Sequence, residues 1–338
     1  MTDRLVRALV KERTVRAVVA VTTGLSREAA QRHEASPVAG VALGQALTGA
    51  VLMGGLLKAE HRLAMKVEAD GPLQKLLAET DGHGQVRGYV GRPHVSMPPP
   101  VTPEAVREAI GRRGELVVVK DLRMKHLYES VVSLQGGDLA ATLAHYLEQS
   151  DQLPSLVEMD FLMDSAEVLQ GIGGLLLQTM PGEPPDTLAT LRHRLDDLPP
   201  LAVFLAQGGT PEAFLDRLAA DWDRQILETR PVAFHCFCSR ERSLAAPSAV
   251  AAGGAPDPDR RGPGCGGLSL LPRTLSLLPG GAGGALGRAE GRSVRGGQGL
   301  DARWGRFFRP HLFFVVGIGW GSRPTTPEIR ARWAASPR

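Results

Sequence analysis

The sequence predicts an α+β fold followed by a helical connector and a small cysteine-bearing region. Three observations carry this. Segments with a two-residue apolar period come in runs, and segments with a helical period are inserted between those runs, where a doubly wound parallel sheet would demand strict alternation. The third observation is a break in composition. Up to about residue 246 the chain mixes both charge signs and all common residue types, whereas residues 247–338 hold 19 glycines, 13 arginines, no lysine and five acids.

Along the chain, Ser26-Arg27-Glu28 opens a short helical pattern. Ser36-Pro37 is an N-cap followed by proline at the first helical position, which starts a helix over residues 38–57. That stretch is uncharged for 20 residues but holds five glycines, Gln45 and Thr48, so it reads as a buried core helix and not a membrane span. The period then changes. Leu63, Met65 and Val67 alternate with Arg62, Ala64, Lys66 and Glu68, a half-buried strand ended by the turn Asp70-Gly71-Pro72. Residues 76–79 and 85–90 flank Asp81-Gly82-His83-Gly84 as a hairpin. Thr102-Pro103-Glu104 caps a helix to about Arg112, residues 116–120 and 128–134 read as strands, and residues 138–149 form an amphipathic helix. Two further strands, 156–163 and 168–178, complete an N-terminal domain over residues 1–180.

Residues 181–230 differ. Leu188, Leu191, Leu195 and Leu198, then Phe214, Leu215 and Leu218, recur at helical spacing among charges, with Thr210-Pro211-Glu212 as a start signal. The expected helices are short and charged. Their stability depends on packing against a neighbour, which makes this connector a candidate for conditional folding.

Composition also bounds function. The chain has 338 residues and three cysteines, too few for the disulfide framework of a secreted miniprotein, and no apolar leader follows Met1-Thr2-Asp3-Arg4, so a reducing cytoplasm is the expected compartment. The net charge of +3 hides a split, because residues 247–338 carry about +8 and the rest about −5. An arginine-rich arm can bind nucleic acid, but its aromatics sit in one clump between Trp304 and Trp320, not interleaved with the arginines as a stacking platform requires. No nucleic acid or membrane partner is expected. Gly171-Ile172-Gly173-Gly174 is glycine-rich but completes no phosphate-binding motif, and no Ser-His-Asp or paired-carboxylate constellation stands out, so the chain does not read as an enzyme.

The most informative residues are His235-Cys236-Phe237-Cys238-Ser239-Arg240-Glu241-Arg242. Two thiols one residue apart can ligate one zinc ion, yet two ligands do not close a tetrahedral site. Oxidised, Cys236 and Cys238 would close a small strained ring of the labile, regulatory kind; left alone, they would be two half-buried thiols on a strand. His235 beside Cys236 faces the other way on a strand, and Cys265, alone between Gly264 and Gly266, is a third conceivable ligand.

This octapeptide resembles the 33-kilodalton redox-regulated heat-shock chaperonin family. Matching pieces run in order before it: Asp3 with Leu5-Val6-Arg7, Ser36-Pro37, Asp70-Gly71-Pro72, Arg87-Gly88-Tyr89-Val90, Lys120-Asp121-Leu122, Ser150-Asp151-Gln152-Leu153-Pro154-Ser155, then Gly171, Gly173-Gly174 and Gln178. The resemblance covers roughly residues 3–245. It implies an ATP-independent holdase that protects unfolding client proteins and forms a homodimer when oxidised. It also implies that Cys236 and Cys238 are zinc ligands and redox-active, within a set of four thiolates that releases zinc when oxidised to disulfides. The rival readings are a basic-tail nucleic-acid-binding protein and a thiol-disulfide oxidoreductase.

The sequence departs from the family where a Cys-x-x-Cys is due, about thirty residues after Cys238. Residues 231–246 therefore hold only the first half of a zinc switch, and zinc binding is expected to be weak or absent. Codons permitted for residues 268–279, displaced by one base, translate to Cys-His-Phe-Cys-Arg-Glu-Arg-Tyr-Leu-Phe-Ser, and the same phase turns residues 254–261 and 280–289 into charged helical patterns. A one-base shift between about residues 244 and 254 would account for the composition break. Residues 247–338 are then an out-of-frame tail, expected to be disordered.

Overall fold

The computed structural model describes residues 2–184 and 186–236. The chain opens with a hairpin that apolar periodicity left unassigned, β1 (Arg4–Val10) and β2 (Val15–Val21). Helix α1 (Thr23–Arg32) starts three residues before the expected Ser26, and α2 (Pro37–Gly54) ends three residues before the expected Leu57. Ser36 precedes α2 but its hydroxyl makes no capping bond; its N–H donates to the carbonyl of Pro93 instead, so the rigid proline alone marks the start.

The next elements fall where the sequence pattern put them. These are β3 (Arg62–Ala69), β4 (Lys75–Asp81), β5 (Gln85–Val90), α3 (Pro103–Ile110), β6 (Gly114–Asp121), β7 (Tyr128–Ser133), α4 (Leu139–Ser150), β8 (Ser155–Met163) and β9 (Leu169–Thr179). Thr102 Oγ1 accepts the N–H of Ala105, and Asp138 Oδ1 that of Ala141, so α3 and α4 carry side-chain caps. Three short helices follow, α5 (Asp186–Asp196), α6 (Leu201–Ala206) and α7 (Pro211–Ala219), the last capped by Thr210. The expectation of a helical connector to about residue 230 fails at its end. Residues Arg224–Pro231 form strand β10, which pairs antiparallel with β1, and β11 (Ala233–Phe234) pairs parallel with β5. Alternation of Arg224, Ile226, Glu228 and Arg230 with more exposed neighbours is a strand period, too polar to stand out in a hydropathy pattern.

Two sheets result, one of five strands in the order β10-β1-β2-β9-β8 and one of six in the order β11-β5-β4-β3-β6-β7. Helix α2 lies between them. It is the one helix among the described residues long and apolar enough to cross a membrane, and it is buried within the fold as the core helix its glycines suggested. The central core draws Leu5, Val18 and Leu176 from the five-stranded sheet, Leu43, Leu47 and Leu52 from α2, and Leu63, Leu76 and Val118 from the six-stranded sheet. Glycines on β9 set the spacing. A Cβ at Gly174 would sit 2.9 Å from Leu52 on α2, and one at Gly171 2.9 Å from the carbonyl oxygen of Ala202 on α6. The glycine-rich run thus serves helix packing on both faces of a strand.

Candidate functional site

Each central strand of the five-stranded sheet is apolar on both faces. β2 sends Val18 and Ala20 to the central core and Val15, Ala17, Val19 and Val21 to the outer face, where Val6, Ala8 and Val10 of β1 and Leu175 and Leu177 of β9 join them. A segment such as Val15–Val21, four valines and two alanines around a half-buried Arg16, reads as a strand buried on both sides. The outer face is covered by α5, α6 and α7, through Leu191, Leu201, Phe204, Leu205, Phe214, Leu215 and Leu218. Phe204 and Phe214 meet edge to face with ring centroids 5.4 Å apart. The result is a second core, separate from the central one, between an apolar sheet face and three helices of 11, 6 and 9 residues. Helices this short are marginal on their own, so the sheet holds them in place as much as they hide it.

Polar contacts tether this cover at a few points. The turn between β1 and β2 reaches both of its ends. Lys11 Nζ pairs with the Glu183 carboxylate and donates to Thr187 Oγ1 (2.7 Å) at the start of α5, while lying 5.2 Å from the Trp222 ring centroid past the end of α7. The same turn donates two N–H groups to Asp223, from Lys11 to its carbonyl (3.1 Å) and from Glu12 to its carboxylate. Hydrogen bonds from Lys11 and Thr187 lower the pKa of Glu183 to about 2. Lys11, Glu12 and Arg13 all have positive φ, 52°, 52° and 67°, and none is glycine. The clasp is therefore a strained turn, at roughly 1–2 kcal/mol per left-handed residue. Further along, Arg194 stacks 3.8 Å from the Trp222 ring and donates to the carbonyls of Leu218 and Ala219 at the end of α7, and Arg4 pairs with Glu212 at 2.9 Å.

Two carboxylates on β8 lie under the same cover. Glu158 pairs with Arg192 of α5, and Asp160 accepts the N–H of Leu201 at the start of α6 (3.0 Å). Burial raises the pKa of both. Carboxylates raised in this way weaken the cover at neutral pH, because opening it lets them ionise in water.

Of the residues singled out in the sequence, Cys236 is half-buried against the central core just beyond β11, and His235 is exposed, with its backbone N–H donating to Val86 at 2.8 Å. Adjacent side chains thus take opposite sides, as the strand argument requires. Phe234, buried, has the Arg32 guanidinium 5.3 Å from its ring centroid, and the neighbouring His33 hydrogen-bonds the carbonyl of Gly88 through Nε2 at 2.9 Å. Cys238, Cys265 and residues 247–338, with the disorder expected of them, lie outside the described residues. Among the described residues no three His, Cys, Asp or Glu side chains converge to hold a metal ion, and Cys236 is the one described cysteine.

The residues of this candidate site were partly hidden in the sequence. Leu191, Phe214, Leu215 and Leu218 were legible as a helical stripe, whereas Lys11 and its clasp gave no signal, because a charged turn residue is the commonest thing in a sequence.

Comparison with known proteins fits this arrangement. A family model described as Hsp33 protein matches residues 3–249. The 33 kDa chaperonin of Geobacter sp. (strain M21) is 43% identical over 242 residues, 72% of this chain and 82% of the relative. That of Geobacillus kaustophilus is 39% identical over 243 residues, 72% and 83% of the two chains. Among solved structures, the 33 kDa chaperonin of Thermotoga maritima matches with a TM-score of 0.66 and 29% identity, covering 73% of this chain and 84% of that one. The matches span both sheets, the helices between them and the covering helices, and on that extent the chain belongs to the Hsp33 family.

Proposed function

We propose that this chain is an ATP-independent holdase, which keeps unfolding client proteins from aggregating by opening the α5–α7 cover and presenting the apolar face beneath it. The observation that carries the reading is the second core. An apolar sheet face lies under three short helices, held by a strained turn and resting on two carboxylates with raised pKa values. A face of that kind binds exposed apolar segments of other proteins once uncovered, because each side chain withdrawn from water is worth about 1.5–3 kcal/mol whoever supplies the partner surface. The names of the relatives, 33 kDa chaperonin, support the same reading.

Cys236 and Cys238 are the pair through which oxidation acts. Two thiols give two electrons and two protons to hydrogen peroxide, one S–S bond forms, and two waters leave. Cys236 stands two residues past β11 and five past β10, which is the last strand of the sheet under the cover, so strain at this cysteine acts on a short connection to it. The zinc set that the resemblance implies needs four thiolates and this chain has three cysteines, so no step is assigned to the metal.

With the switch incomplete, the cover is loosened even in reductant and holdase activity is constitutive. Light scattering from a thermally unfolding client, without ATP, tests this. The expected result is suppressed scattering in reductant, with little gain from peroxide. A soluble chain that stays inactive until peroxide is added would contradict constitutive opening, and one inactive in both conditions would overturn the holdase reading.

A further inference from the structure

Among the described residues, six large apolar side chains are conspicuously exposed, and four of them fall within eight consecutive positions. Met124 (73% exposed) and Leu127 (39%) lie on the β6–β7 turn, and Tyr128 (42%) and Val131 (51%) on β7. β7 is also an edge. It ends the six-stranded sheet, and no described strand pairs with its outer side. The other edges are blunted. β10 carries Arg224, Glu228, Arg230 and Pro231, β11 is two residues long, and β8 holds Glu158 and Asp160 with α5 and α6 against them. Of the six residues of β7 only Glu129 is charged. An apolar, uncovered edge is an aggregation hazard that folded proteins normally remove, and its retention on one edge of four marks it as a surface in use.

We infer that β7 and the turn before it bind an extended, apolar and acidic segment of an unfolding client, which adds to the six-stranded sheet as a further strand. This rests on the holdase reading and gives it a second contact surface, on the sheet that α5–α7 do not cover. An edge strand offers unpaired backbone groups, which an extended chain satisfies and a helix does not. The charge preference comes from Arg123, Lys125 and His126, exposed on the adjoining turn. A second copy paired antiparallel along β7 would set Lys125 and His126 against Gly136 and Gln135, which bring no carboxylate, and Arg123 against Asp138, which Arg107 already holds at 3.3 Å. The chain's own residues 247–338 carry about +8 and would be repelled. An acidic stretch of a client meets both demands.

Fluorescence anisotropy of the full chain with two labelled ten-residue peptides, one alternating valine and glutamate and one alternating valine and lysine, tests the assignment. The acidic peptide should bind the tighter of the two, Val131→Glu should weaken it about tenfold, and Lys125→Glu should abolish the preference for acid. Val168→Glu, at an equally exposed apolar position on the β8–β9 turn, should leave binding unchanged. Equal binding by wild type and Val131→Glu would overturn the proposal, as would variants that alter only the sedimentation of the chain, which would make a second copy the occupant. The aggregation assay separates this from the underlying reading. A wild-type chain that protects clients no better than Val131→Glu, with peptide affinity unchanged, sinks the edge and leaves the holdase standing, whereas a chain that protects no client sinks the holdase however the peptides bind.

Discussion

Lys11 connects the sheet to both ends of the segment that hides it, through Glu183 and Thr187 on one side and Trp222 and Asp223 on the other. Lys11→Met keeps the length of the side chain and removes the charge. It should destabilise the cover by about 1–2 kcal/mol and raise the binding of a dye that reports exposed apolar surface. The same pair sets an acid limit. The folded pKa of Glu183, about 2, lies below its ordinary 4.5, so its contribution is fully present above pH 4.5 and is lost as pH falls through 2. Dye binding by the wild-type chain should therefore rise across that window, and Lys11→Met should rise less, having already lost the charge that depresses Glu183. An identical acid profile in the two proteins would remove Lys11 from the clasp.

At the scale of elements, the cover is a unit with its own small core. Phe214 is fully buried at its centre, against Phe204, and touches nothing of the central core around α2. Phe214→Ala should cost about 3–5 kcal/mol of the cover's stability while the sheets persist, seen as early loss of helical signal ahead of the main thermal transition. A single transition shifted as a whole would mean that cover and sheets unfold together. The cover also shows how far a sequence can be read. Its helices were legible because Leu188, Leu191, Phe214 and Leu218 repeat at helical spacing and Thr210-Pro211 marks a start. β10 was not, because its alternating residues are Arg, Glu and Ile and its burial comes from pairing with β1 near the start of the chain, far outside any local window. β2 escaped because Val15–Val21, apart from Arg16, is apolar on both faces and has no two-residue period to detect.

For the whole molecule, two sheets enclose α2 and each leaves a different surface to the outside. The five-stranded sheet has an apolar outer face under the cover of α5, α6 and α7, and the six-stranded sheet has an apolar edge with no cover among the described residues. The family was legible from short motifs because they sit where the fold is most constrained. Lys120 and Asp151, from two of those motifs, meet in a salt bridge at 2.8 Å beside the buried Tyr146, and Gly171 and Gly174 admit α6 and α2 to β9. The proposed switch was legible only as Cys236 and Cys238, because the Cys-x-x-Cys that the family resemblance implies is absent from the sequence.

The account stands on the α5–α7 cover opening while the sheet beneath it stays folded, and hydrogen exchange of the full chain in reductant measures this directly. Amides of α5, α6 and α7 should exchange much faster than those of β2 and β9, at rates that report a local opening. Exchange of the cover at the same slow rate as β2 and β9 would show one cooperative unit and would contradict the proposed uncovering.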